Sequence, residues 1–272
     1  MEEFDYFGET FAVERPKNAN GKIPVERVIE KLDDFLSRND YSSAEKHLLY
    51  WLSEAKELKD VRGEFAVSNE LMGLYRKTGK KDEAYRFAAR SIELAGYKEI
   101  KGSSSEGTAT LNAATVYKAF GEPEKAALYY ETAKDLYEKL LSPKDVRLAG
   151  LYNNYATALC DLHRYEEGRK CYEKANEVLK NKGGFCEVAV SYVNLAHLVY
   201  DEAQSKGEEC DDEIEALLDK AYKHLDDASL THDGNYAFVC SKCAPAFGFF
   251  GYFMQKEELE NRAKQIYENN RK

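Results

Sequence analysis

The chain repeats itself. TLNAATVYKAFGEPEKAALYYETAKDLY, beginning at Thr110, returns about 42 residues later within LYNNYATALCDLHRYEEGRKCYEKANEVL, beginning at Leu151. Ala114 falls under Ala156, Tyr117 under Leu159, Ala126 under Gly168, Tyr130 under Tyr172 and Ala133 under Ala175. Each copy reads as two helices around a short polar break. A unit of that length cannot bury its apolar face alone, so neighbouring copies must stack on one another. The sequence therefore predicts an all-α chain built as a solenoid of helical hairpins.

Six hairpins are expected over residues 25–272, starting near 25, 65, 107, 149, 189 and 240. Counted from those starts, position 20, or its loop-shifted equivalent in the fifth hairpin, lies on the second helix and carries the small or apolar residues Ala44, Ala84, Ala126, Gly168, Ile214 and Leu259. Small side chains there let two helix backbones approach. Aromatic residues at position 11 (Phe35, Tyr75, Tyr117, Phe250) fill the space beside them. Gly79 and Gly121 suit the left-handed residue that ends a first helix. Asp82 and Pro123 suit the opening of the second.

The ends deviate. Residues 1–24 are read as an irregular, ordered arm containing Phe4, Phe7 and Phe11, which must dock on something to be ordered. In the fifth hairpin QSKGEECDD reads as a long inter-helix loop. In the sixth, Pro245 should kink the first helix. FGFFGYF is too apolar for a free surface, so it closes the core at the C-terminal cap or forms an interface.

At this point a resemblance carries further. Paired asparagines, a small residue, a hydrophobic residue at position 11 and then Tyr-Glu-Glu followed by small residues make Leu151–Leu179 resemble a tetratricopeptide repeat. The longer-period type found in kinesin light chains is the nearer match. The resemblance spans residues 25–271 and implies a right-handed superhelix of about six such hairpins. It implies a repeat type rather than a kinesin light chain, because the heptads that precede the repeats there are absent from this sequence.

In arrays of this kind the first helices line the concave wall, which would place Asn112, Asn154 and Asn194 in a groove. An amide side chain offers donors and an acceptor suited to an extended peptide backbone. Around this ladder the groove would hold Asn69, Arg76 and Lys77, then Lys118, then Asn153, Thr157 and Asp161, then His197, Tyr200 and Asp201. The basic members lie toward the N-terminal half, so a peptide with an acidic end near Arg76 and Lys118 would fit. The lysine pattern that clamps the carboxylates of heat-shock chaperone tails is not present.

A formal net charge of −10, with lysine and glutamate alternating along the helices, argues against nucleic acid as a partner. No run approaches a membrane span, no secretory leader is recognisable, and the six cysteines fall inside the helical repeats. These features point to a cytoplasmic chain with reduced thiols. Cys240 and Cys243 form a C-x-x-C without the second pair that a zinc site needs. No phosphate loop, G-x-S-x-G or H-E-x-x-H is found. The reading is a non-catalytic scaffold or adaptor, with no metal and no cofactor, that binds a protein or peptide. Two other readings stand beside it. One is a regulatory sensor array resembling the repeat half of peptide-pheromone receptors. The other is a self-assembling module, a homodimer through the arm or the C-terminal apolar region.

Overall fold

The computed structural model describes residues 21–180, 186–227 and 229–269. The arm residues Phe4, Phe7 and Phe11 lie outside the described residues. Among the described residues there are twelve helices and no strand. They are α1 (Val25–Ser37), α2 (Tyr41–Glu57), α3 (Val61–Lys77), α4 (Lys81–Ala95), α5 (Ser104–Ala119) and α6 (Pro123–Leu140), then α7 (Val146–Asp161), α8 (Tyr165–Lys180), α9 (Glu187–Lys206), α10 (Asp211–Leu225), α11 (Gly234–Phe249) and α12 (Phe253–Asn269). The chain divides into two compact units, Met1–Val67 and Ser68–Lys272.

One backbone device recurs at every hairpin turn. Asn39, Gly79, Gly121, His163, Gly207 and Gly251 all have positive φ, and each sits just past the end of a first helix. The residue after each one sends its N–H back across the turn: Asp40 to the Phe35 carbonyl, Lys80 to Tyr75, Glu122 to Tyr117, Arg164 to Leu159, Glu208 to Ala203 and Tyr252 to Phe247. This is the six-to-one bond of a Schellman motif, and it satisfies a carbonyl the helix would otherwise leave open. Four residues later the second helix engages: Ala44, Ala84, Ala126 and Gly168 donate to the carbonyls of Asp40, Lys80, Glu122 and Arg164. The turn thereby delivers the small residue to the inter-helix contact.

This bond sets the register of the last hairpin. Phe247, not Phe250, stands where Phe35, Tyr75 and Tyr117 stand in their hairpins. Phe247 is buried accordingly. The apolar run splits: Phe250 is half-buried, while Phe249 and Phe253 are 58% and 68% exposed. Pro245 lies in the interior of α11, which continues past it. Likewise the segment expected as a long loop begins inside α9, which runs to Lys206 and ends on left-handed Gly207.

First helices open earlier than periodicity suggests, at Val61, Ser104, Val146, Glu187 and Gly234, and at all of these but Glu187 a capping side chain defines the start. Ser103, Asp145 and Asp233 accept from the backbone N–H groups of Glu106, Arg147 and Tyr236. In the first unit Asp60 has two tasks. Its carboxylate accepts from Gly63 N–H at the start of α3 and from Ile23 N–H, both at 3.0 Å. There too, His47 Nε2 lies 3.0 Å from the Val28 carbonyl, and its ring packs between Phe35 and Trp51.

Within the second unit, α4 packs on α5, α6 on α7 and α8 on α9. First helices also touch in sequence, α5 with α7, α7 with α9 and α9 with α11, so they form one continuous wall. The small position is filled to fit. At Gly168 a Cβ would stand 3.0 Å from the Leu198 Cδ1 and 3.4 Å from the Ala156 carbonyl, which accounts for glycine where the three preceding hairpins carry alanine. The fold is that of an all-α helical-repeat solenoid.

Candidate functional site

Each first helix of the second unit keeps one stripe out of the core. On α5 it comprises Thr108, Leu111, Asn112, Thr115 and Lys118; on α7, Asn153, Asn154, Thr157 and Asp161; on α9, Asn194, His197, Tyr200 and Asp201. Steps of three and four residues place each set on a single helix face. The other faces of these helices are committed to their own hairpin partner and to the neighbouring first helices. The stripes therefore share one side of the wall.

Side-chain bonds run along that side. Asn112 Nδ2 donates to Asn69 Oδ1 at 3.2 Å, linking α5 to α3. Ser191 Oγ donates to Asn153 Oδ1 at 2.9 Å, linking α9 to α7. Lys118 Nζ and Asp161 Oδ2 are 3.3 Å apart, linking α5 to α7. Asn112, Asn154 and Asn194 are all half-buried, neither sealed in the stack nor fully turned out. Asn154 and Asn194 make no side-chain hydrogen bond among the described residues, although the Asn154 carbonyl accepts from Thr157 Oγ at 2.8 Å.

Arg76 is exposed at the end of α3 and forms no ion pair among the described residues. Its charge reaches the hydroxyl of Tyr130, which is bonded to Thr115 Oγ at 3.1 Å. Burial pushes that phenol up to about 12. Tyr130, fully buried on α6, thus sits as a neutral hydroxyl behind Thr115.

At the other end the chemistry changes. The His197 ring lies 5.1 Å from Phe249 and 4.9 Å from Phe250, and Tyr200 meets the same two rings edge-on at 5.3 and 5.9 Å. His197 and Tyr200, expected as free groove contacts, are largely engaged in holding α11 against α9. Burial lowers the His197 pKa, against the opposing pull of Asp201. The stripe of α11 is mostly apolar: Phe238, Pro245 and Phe249 are exposed, with Lys242 Nζ 5.3 Å from the centre of the Phe238 ring. Sequence reasoning did not place α11 in this wall; the signal was present in FGFFGYF.

No thiol here is activated. Burial pushes Cys160 and Cys186 up to about 12 and Cys171 to about 11, and raises Cys210, Cys240 and Cys243 as well. Cys240 and Cys243 are both buried on α11. Among the described residues no three His, Cys, Asp or Glu side chains are grouped to hold a metal ion, and no helix is long and apolar enough to cross a membrane.

No protein-family model and no curated protein matches the chain. Solved structures do. The nearly identical TPR-like repeats of a Podosopora anserina protein described as a kinesin light chain superpose with a TM-score of 0.52 at 16% identity, over 75% of this chain and 94% of that one. A STAND ATPase from Pyrococcus horikoshii with a tetratricopeptide-repeat sensor gives 0.59 at 15% identity, over 90% of this chain and 36% of the other. Bacillus thuringiensis PlcR, solved with the peptide PapR7 and DNA, gives 0.55 at 15% identity, over 87% and 74%. At these identities the likeness concerns the fold, which is the tetratricopeptide-repeat fold.

Proposed function

We propose that this chain is a non-catalytic scaffold that holds an extended segment of a partner protein, or a peptide, against the wall of first helices. The observation that carries this reading is the alignment of half-buried amides, Asn112, Asn154 and Asn194, on the shared side of α5, α7 and α9. Amides there can bond a peptide backbone while ignoring its side chains. The wall is built from packed helices, so little ordering of the scaffold opposes binding. PlcR, which shares the fold, was solved with a peptide, and that supports the same reading.

The test compares the full chain with a variant carrying Asn112→Ala, Asn154→Ala and Asn194→Ala. Retention of native-host proteins on each is measured after both are shown to melt cooperatively. Proteins held by the wild type should be lost from the triple variant and kept by a variant of the outer face, Lys170→Ala. A triple variant that keeps every partner overturns the reading.

A further inference from the structure

Asp161 occupies an electrostatically awkward place. It is the last residue of α7, where the helix carbonyls already present partial negative charge and a carboxylate is disfavoured. Lys118 and Arg76, near the ends of α5 and α3, have the sign that end of a helix prefers. The one ion pair Asp161 makes among the described residues is the 3.3 Å contact with Lys118, on the neighbouring helix. Both partners are partly open to solvent, at 29% and 47% side-chain exposure, so the pair is weak and exchangeable. Along this edge the charges therefore run Arg76, Lys118, Asp161, Asp201: two cations, then two anions.

From this order we infer that Asp161 is an internal competitor for Lys118, and that the bound segment carries a carboxylate side chain at the α3–α5 end of the wall. The inference rests on the groove reading above. The entering carboxylate takes Lys118, with Arg76 beside it, and releases Asp161. Asp161 then stands next to a like charge and opposes binding. The pair thus sets a threshold: a segment with acidic side chains displaces Asp161, and a neutral one gains nothing from Lys118. As a simple strut between α5 and α7, the pair would instead leave ligand selection unchanged.

The probes are two pools of fluorescein-labelled nonapeptides with random interiors, one with Asp-Glu fixed at an end and the other with Asn-Gln. Anisotropy is measured on the full chain, on Asp161→Asn, on Lys118→Gln and on the double variant. Wild type should prefer the acidic pool. Asp161→Asn should bind that pool about five-fold more tightly, the scale of relieving one like-charge contact near 6 Å in a mostly aqueous setting. The neutral pool should not respond. On the Lys118→Gln background Asp161→Asn should help clearly less, because the competition for Lys118 is gone and only the direct repulsion remains. Should Asp161→Asn fold poorly, Asp161→Ser serves the same comparison.

If wild type binds the pools and Asp161→Asn leaves acidic affinity unchanged or weaker, the competitor role is overturned and the scaffold reading survives. Binding of neither pool by the wild type overturns both.

Discussion

Asn112 on α5 donates its side-chain N–H to Asn69 Oδ1 on α3, 3.2 Å away, so one amide of the proposed ladder and its neighbour on the preceding hairpin form one cross-hairpin clasp. The bond spends one of the two Asn112 donors and leaves its own carbonyl oxygen open. Stability and binding can therefore be separated. Asn112→Ala and Asn69→Ala should each lower stability by about 1 kcal/mol, and the double change should cost little more than either alone. Asn194→Ala, with no side-chain partner among the described residues, should stay within about 0.5 kcal/mol of wild type. Urea unfolding midpoints give all four values. Additive losses at Asn69 and Asn112 would show that the clasp does not exist in solution.

A second relationship lies between the helices of the third hairpin. A Cβ at Gly107 would meet the Tyr137 ring at 2.6 Å. The ring is held where it is by a 2.7 Å bond between its hydroxyl and Thr108 Oγ. Gly107→Ala should therefore destabilise by about 1–3 kcal/mol through overpacking. Gly150, within α7, has nothing within 4 Å of its would-be Cβ. Gly150→Ala should instead stabilise by about 0.5–1 kcal/mol, because alanine loses less backbone entropy in a helix. Thermal melts of the two variants should move in opposite directions.

These residues also mark how far the sequence could be read. Gly79 and Gly121 announced their turns because glycine is the residue most at ease with positive φ. Asn39 and His163 adopt the same conformation without that signature, and Gly207 and Gly251 lay beyond a period that drifts in the last hairpins. Helix starts were legible in principle: Asp60, Ser103, Asp145 and Asp233 are strong caps, and periodicity alone places the starts a few residues too late. The stripe of Asn112, Asn154 and Asn194 follows from helical spacing. The Asn69–Asn112 and Lys118–Asp161 contacts depend on how far one hairpin is offset along the next, and no residue pattern encodes that offset. For the same reason His197 and Tyr200 read as groove residues although Phe249 and Phe250 take up their rings.

The turn conformation itself can be tested by exchanging its residues. Gly121 sits at φ 81° and His163 at φ 56° in equivalent turns. Gly121→Ala forces a Cβ into the left-handed region and should cost about 1 kcal/mol. His163→Gly removes that strain but gives up the 2.8 Å contact of Nδ1 with the Tyr165 hydroxyl, so its net effect should be smaller than that of Gly121→Ala and close to neutral. Denaturation midpoints decide the matter. Equal losses at both sites would mean that the side-chain contact, not the backbone, holds the fourth turn.

Acid should loosen the array before it reaches the carboxylate range. His47, His197 and His224 all have folded-state pKa values below the ordinary 6.5, in each case because burial penalises the imidazolium. For His197 the ring lies among Phe249 and Phe250, and Asp201 only partly offsets the burial; for His224, Lys180 adds to the shift and Asp227 opposes it. A depressed histidine binds its proton more readily when unfolded. Its contribution to stability is therefore complete above 6.5 and is lost as pH falls through the folded-state value. Urea midpoints should be flat from about pH 8 to about pH 7 and then decline toward about pH 5, with a slope below one proton per histidine. His197→Gln should make that decline shallower by removing one of the three contributors. A midpoint that rises toward pH 5, or a slope His197→Gln leaves unchanged, would mean that the α9–α11 contact is solvated well enough to accept the charged ring.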